Sequence, residues 1–395
     1  MRLAELGHRR IALAGAAAMV VVAAAVAAVA LWPDPSDALR RDLEAEFDGA
    51  YPAEPAGGGD VIDVELTAAE TTLGLVDGVE TQVWAYNGTV PGPALRATLG
   101  DTVRVTVRND LDAATTIHWH GIRVPNDMDG VPGVNQPRIE SGDTFVYEFT
   151  PPDAGTYWYH SHTDGSQQLE RGLYGSIVVD DPGDTGYDVD EVWILDDWLL
   201  DDTGQIDPAF DVDLTAPTEP GTYPTVDTFT GSPQPLAAIV VEGETAGMTE
   251  TPSFDLATNS AVPDWDAALD APVDHELVFE THNDGEAWIW TINGSAYPDH
   301  QPIELTAGEF TKIRLVNQTH PMHPIHLHGQ FFKVLTRNGE PVDEPYFRDT
   351  VLLEMLDEVE IGLVPLDVGE WVLHCHIQEH GEAGMMTVMR VAANG

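Results

Sequence analysis

"WVLHCHIQEHGEAGMM", Trp371 to Met386, sets the chain's single cysteine, Cys375, between two histidines and ahead of a third histidine and a methionine. Its opening, Trp371–His376, reads as a β-strand. On a strand, side chains i and i+2 face one way and the residue between them faces the other. His374 and His376 therefore share one face and Cys375 takes the opposite one. One extended segment then serves two sites, which requires a sheet protein with donor groups gathered on both sides of that strand.

The paired imidazole recurs three more times, in "HWHG" (His118, His120), "WYHSH" (His160, His162) and "HPIHLHG" (His323, His326, His328). Together with His374, His376 and His380 these clusters hold ten of the fifteen histidines. Four His-x-His pairs supply eight imidazoles, more than a mononuclear site uses, so they imply a cluster of several ions. Cys375, facing away, has its own partners by spacing: His380, Met385 and His323. Two histidines, a cysteine and a weak axial methionine are the donors of a blue-copper electron-transfer site. Met386 and Met389 stand close enough to compete with Met385, or simply to fill core. His320 competes with His323, which keeps "HPIHLHG" in register. His275, His282 and His300 lack a partner pattern and read as surface residues, and His8 lies in the N-terminal segment.

Alternating strands surround these motifs. Thr102–Val107, Thr144–Phe149, Gly155–His160 and Ser176–Val179 form one set. Thr311–Val316, Phe331–Leu335, Glu358–Val364, Trp371–His376 and Met386–Val391 form a second, after about His275. Closely spaced turn residues separate them, as in antiparallel sandwiches. The expected architecture is all-β, a duplicated sandwich over 61–185 and 275–395. Residues 186–274 read as a long connector or the remnant of a truncated middle domain. Its only strand signals are Leu236–Val241 and a weaker one at Val192–Leu200.

The 395 residues carry 67 acids against 17 bases, two of them lysines, for a net charge of −50. That surface repels nucleic acid and anionic lipid. It suits a salty medium, where counterions screen self-repulsion, or is a general solubility device. Residues 1–33 read as a targeting segment, a hydrophobic helix at the N-terminus. Arg2, Arg9 and Arg10 precede the uncharged run Ile11–Trp32, long enough to span a bilayer, which takes about 20 residues. Ala28-Val29-Ala30 equally offers a cleavage site. Both readings put the remainder outside the cytoplasm, secreted or anchored, with 34–60 as an acidic tether. An exported protein with nothing for Cys375 to pair with holds it as a ligand or an inert core thiol.

In order and content, the four histidine motifs resemble the multicopper oxidases, the family of laccases and cuprous oxidases, over roughly residues 60–200 and 275–392. The resemblance implies cupredoxin-like Greek-key sandwiches and about four copper ions. Type 1 copper would fall to His323, Cys375, His380 and Met385, and type 2 to His118 and His326. The type 3 pair would fall to His120, His160, His162, His328, His374 and His376. Single electrons from phenolic, aromatic or metal-ion donors would enter at type 1, and dioxygen would be reduced to water at the other three ions. Asp129, in "NDMDGVPG", falls where the family usually carries a proton-delivering acid, with Asp127 as its alternative. The acid that often follows the last type 1 histidine is Gly381 here, with Glu382 next. Glu379 is a candidate for orienting an imidazole.

The missing middle sandwich makes the chain resemble two-domain members, whose clusters form between subunits of a homotrimer. The long connector also permits closure within one chain. A copper nitrite reductase would place its Cys-His motif in the first block, which has "HSH" and no cysteine. An electron shuttle or copper store would not use His118, His120, His160 and His162. Nine scattered methionines without a run weigh against copper(I) as a dedicated donor.

Overall fold

The computed structural model describes residues 39–44, 58–183, 191–206 except 197, and 265–394 except 286 and 345. The apolar run Ile11–Trp32 and the strand expected at Leu236–Val241 lie outside these residues. Among the described residues no helix is long and apolar enough to cross a membrane.

The first block contains β1 (Val61–Val76), β2 (Val79–Tyr86), β3 (Leu95–Thr98), β4 (Thr102–Asn109), β5 (His118–His120), β6 (Thr144–Phe149), β7 (Gly155–His160) and β8 (Tyr174–Asp180). They form two sheets, in the orders β2-β1-β4-β6 and β3-β8-β7-β5. The second block contains β9 (His275–Asn283), β10 (Trp288–Ile292), β11 (Ile303–Thr306), β12 (Thr311–Asn317), β13 (His323–Leu327), β14 (Lys333–Arg337), β15 (Glu340–Pro341), β16 (Thr350–Leu353), β17 (Glu358–Leu363), β18 (Gly369–Cys375) and β19 (Met386–Ala392). Its sheets run β10-β9-β12-β17-β14-β15 and β11-β19-β18-β13-β16.

The sandwiches are mixed rather than antiparallel throughout. β1 lies parallel to β4 and β3 to β8; in the second block β9 lies parallel to β12 and β11 to β19. The chain leaves one sheet for the other between such strands and returns in its original direction, as crossing connections require. The same two parallel pairs in both blocks make the duplication explicit. The weaker strand signal at Val192–Leu200 is not a strand; only Leu200 makes an isolated bridge, to Ile206.

Each block encloses its own core. Leu66, Val105, Tyr147 and Tyr159 pack with Trp119 in the first, and Phe279, Leu315, Ile361 and Trp371 with Cys375 in the second. Burying one such aliphatic or aromatic side chain stabilises the fold by about 1.5–3 kcal/mol. Trp119, Leu327 and Cys375 are the middle residues of His-x-His motifs, and all three point into core while the flanking imidazoles point out of it. Within the tether, residues 39–44 form a helical turn whose Leu43 is buried against Trp265, Phe310 and Val364. Arg40 pairs with Asp274 at 2.5 and 3.0 Å and donates to the Phe310 carbonyl at 2.7 Å. The segment that precedes the first block is thus fastened to the second.

Candidate metal centre

The four His-x-His motifs sit at strand ends. β5 ends on His120 and β7 on His160, while β13 ends one residue before His328 and β18 one residue before His376. His118 is paired across the ladder with His160, and His326 with His374. Two such ends from each block meet face to face. His118 Nε2 lies 3.4 Å from His326 Nε2, and His120 stacks on His326 at 3.8 Å between ring centroids. His118 stacks on His328 at 3.7 Å. All eight imidazoles come from one chain.

Hydrogen bonds fix which nitrogen five of the eight rings present. His118 Nδ1–H donates to the Asp129 carbonyl at 2.8 Å, and His328 Nδ1–H to Asp129 Oδ2 at 2.9 Å. His326 Nδ1–H donates to Thr350 Oγ1 at 3.0 Å, His160 Nδ1–H to the Ser161 carbonyl at 2.8 Å, and His374 Nδ1–H to the Cys375 carbonyl at 2.9 Å. Outer partners of this kind set the tautomer of a metal-binding imidazole. In these five rings Nδ1 is protonated and Nε2 carries the lone pair. His160, His162 and His376 each leave Nε2, and His120 leaves Nδ1, buried and without a hydrogen-bond partner.

Those lone pairs face one another. His328 Nε2 is 3.1 Å from His374 Nε2, and His162 shares their site with all three donor atoms within 4.8 Å. His118, His120 and His160 form a second such group, and His118, His326 and His328 a third. Opposed lone pairs repel unless a cation lies between them, and buried polar atoms without a partner cost roughly 1–3 kcal/mol each. Separations of this size suit donors sharing one ion at bond lengths of about 2.0–2.3 Å. The residues fit a group of metal ions. Burial, reinforced by the neighbouring rings, holds His120, His160, His326, His328 and His374 well below the ordinary imidazole range. It pulls His162 down to about 3 and His376 to about 4. These seven rings are neutral at neutral pH.

On the far side of β18, Cys375 Sγ lies 3.6 Å from Nδ1 of both His323 and His380, which are 3.1 Å from each other. Met385 is fully buried; its amide donates to the His380 carbonyl at 2.9 Å and its carbonyl accepts from the Cys375 amide at 3.0 Å. Met386 instead pairs with His374 along β18, and Met389 with Trp371. His320 is exposed, whereas His323 is buried beside Cys375. His323 Nε2–H donates to Thr319 Oγ1 at 2.6 Å, and Trp290 lies over His380 with ring centroids 3.8 Å apart.

Two glycines explain the motif sequences. Gly130 follows Asp129 at φ +94°, and a Cβ there would stand 1.9 Å from the Ile117 carbonyl oxygen. Gly329 follows His328 at φ +62°, where a Cβ would stand 2.1 Å from the Trp371 ring. Only glycine adopts these conformations against such neighbours.

Three acids stand around the two centres. Glu379 makes no hydrogen bond to an imidazole among the described residues. Glu382 joins the blocks: its Oε1 accepts from the Ser166 amide at 2.9 Å and its Oε2 from the Ser166 hydroxyl. Asp349 was not legible in the sequence. Its carboxylate lies 3.5 Å from His120 Nε2, burial raises its pKa, and it borders a narrow cleft with His118, Arg123 and His326. It precedes β16, and only the pairing of β16 with β13 brings it to His326.

Two sequence profiles, both described as multicopper oxidase, match residues 67–184 and 270–395. A multicopper oxidase of Mycobacterium tuberculosis is 28% identical over 483 aligned residues, covering 92% of this chain and 93% of that protein. The copper resistance protein A of Escherichia coli is 47% identical over 136 residues, 34% of this chain and 22% of that protein. The crystal structure of a multi-copper oxidase from Pseudomonas thermotolerans superposes with a TM-score of 0.64 at 25% identity, covering 85% of this chain and 100% of that one.

Proposed function

The chain belongs to the multicopper oxidase family, and from that premise we propose that it oxidises small phenolic or aromatic donors one electron at a time, in the manner of a laccase. Copper, when bound, supplies a one-electron acceptor at Cys375 and the reduction of dioxygen to water among the eight imidazoles. The observation that carries the reading is the meeting of four His-x-His strand ends beside a separate Cys375 site.

We assign His323, Cys375, His380 and Met385 to type 1 copper, and His118 with His326 to type 2. The type 3 pair takes His120, His160, His162, His328, His374 and His376, which makes about four ions. The inward nitrogens of His162, His328 and His374 support that division. β18 joins the sites: Cys375 is bonded through the backbone to both His374 and His376, and His374 Nδ1–H donates to the Cys375 carbonyl. Asp129 keeps the proton on His328 Nδ1 and itself accepts from Asn135 Nδ2 at 2.8 Å. The proton delivery expected of Asp129 would pass through this carboxylate. Because one chain supplies both halves of the cluster, we propose a site that needs no partner copy; a homotrimer is not required to complete it. We also propose that residues 34 onward work outside the cytoplasm, secreted or held at the membrane by residues 11–32.

A second class of donor has its own support. Met322 and Met355 are exposed at 50% and 55%. They follow Pro321 and Glu354, whose carbonyls are both held by Asn317 Nδ2, at 2.9 and 2.8 Å. Thioethers beside β13 and β16, the pair carrying His323, suit a soft metal ion, and the Escherichia coli relative is named for copper resistance. Oxygen uptake tests both donors. The copper-loaded protein should consume oxygen steadily with a phenol, or with copper(I) after correction for uncatalysed oxidation. A single stoichiometric burst followed by none would mean a store or shuttle, and would overturn the reading.

A further inference from the structure

The four residues assigned to type 1 copper are sealed from solvent: Cys375, His323 and Met385 are 0% exposed and His380 2%. A donor in solution cannot rest on either imidazole, so its electron has to cross a covering side chain. Among the described residues two side chains lie against those rings. Thr319 caps Nε2 of His323 through its hydroxyl. Trp290 covers the other ring, its indole 3.8 Å from the His380 centroid at 31°, and also meets the edge of His323 at 5.4 Å and 73°.

Trp290 is fixed on the loop that carries the donors. Its amide donates to the Ala383 carbonyl at 3.0 Å, and Gly384 approaches so closely that a Cβ would stand 2.6 Å from the Trp290 carbonyl oxygen. β10 is the edge strand of its sheet. Two residues back along it, on the same face by strand periodicity, Trp288 is 41% exposed. A surface indole thus stands two residues from a buried one on the same strand face, and the buried one meets both imidazoles.

Resting on the type 1 assignment above, we infer that Trp290 is the electron inlet, and that flat aromatic donors dock on the Trp288–Trp290 edge rather than on a metal ligand. Aromatic rings bind one another in offset or edge-to-face arrangements, which an exposed indole at a strand edge offers from its free side. The donor gives up one electron and, if it is a phenol, releases its proton to water. The indole conducts the electron to the His380 ring and is itself neither oxidised nor reduced overall; dioxygen is the final acceptor. A π-system in van der Waals contact with a ring couples to it better than a saturated side chain does. That favours Trp290 over Thr319.

The test uses the copper-loaded full chain with Trp290→Leu, Trp290→Phe, Trp288→Ser and Thr319→Val. Copper content, the blue absorption band and the reduction potential of the site are measured first. The bleaching of the band by excess phenol is then timed without oxygen. Trp290→Leu should keep copper, band and potential but bleach at least about tenfold more slowly. Trp290→Phe should recover most of the rate, and Thr319→Val, which removes the acceptor of the His323 Nε2–H, should slow it no further than its own change in copper content and potential accounts for. Trp288→Ser, which touches no ligand, should raise KM for aromatic donors and leave kcat alone. That variant decides the matter if Trp290→Leu loads copper poorly. Unchanged bleaching in Trp290→Leu, slowing that follows a shifted potential, slowing in Thr319→Val beyond what its own copper content and potential account for, or an unaltered KM in Trp288→Ser would overturn the inference. A wild-type protein without the blue band would overturn the type 1 assignment itself, a different result.

Discussion

Cys375→Ser is expected to abolish the intense visible absorption and reduce donor oxidation to background while roughly three-quarters of the copper stays bound. The sulfur lies equally far, 3.6 Å, from Nδ1 of His323 and His380. A serine oxygen there is harder and keeps its proton, so it neither bonds copper as a thiolate does nor gives the sulfur-to-metal colour. Burial pushes the Cys375 thiol up to about 12, so at neutral pH its proton leaves only when a cation takes its place. The eight imidazoles of the cluster are untouched by the change. Metal analysis, a visible spectrum and oxygen uptake on one preparation check all three parts. Persistent colour would mean that the thiolate is not the blue ligand. Loss of nearly all copper would mean that the two sites do not load separately.

Acidification should unfold the metal-free protein between about pH 6.5 and pH 5. Burial holds His162 and His323 at about 3 and His376 and His380 at about 4. In the unfolded chain each titrates near 6.5. Below that value the unfolded state takes up protons that the folded state refuses, so stability present above pH 6.5 is lost as pH falls. Each ring removes about 1.4 kcal/mol per pH unit, and these four together about 5 kcal/mol per pH unit, so a single unit matches the scale of a whole domain's stability. Carboxylates titrate near 4, so relief of the −50 charge begins only below this window. Thermal melts of metal-free protein from pH 7.5 to 5 check the sign. A flat or rising melting temperature below pH 6.5 would show that the rings are not buried in the neutral form. Copper should move the acid transition lower, since protons then compete with the metal.

The site was legible because strand periodicity is local. Alternation alone sent Cys375 to one side of β18 and His374 to the other, and Trp119 and Leu327 obey the same rule. What resisted reading depends on which strands become neighbours. Asp349 and Thr319 sit in unremarkable stretches, "FRDTV" and "NQTHP". They reach the imidazoles through the pairing of β16 with β13 and through the turn that follows β12. Trp290 carries no histidine pattern and meets His380 because β10 packs on the loop before Met385. The parallel pairs escaped for the same reason, since alternation is identical in parallel and antiparallel strands. Charge and turn composition marked 34–60 as a tether but did not reveal Leu43, whose burial depends on Trp265 and Phe310 far along the chain.

Closure of the cluster by one chain is tested most directly by counting copper in the monomeric fraction, isolated by size and loaded under reducing conditions. About four ions per monomer with a strong blue band is the predicted result. About one blue ion per monomer, with the rest bound only in a trimeric fraction, would show that His118, His120, His160 and His162 meet the second block of another copy.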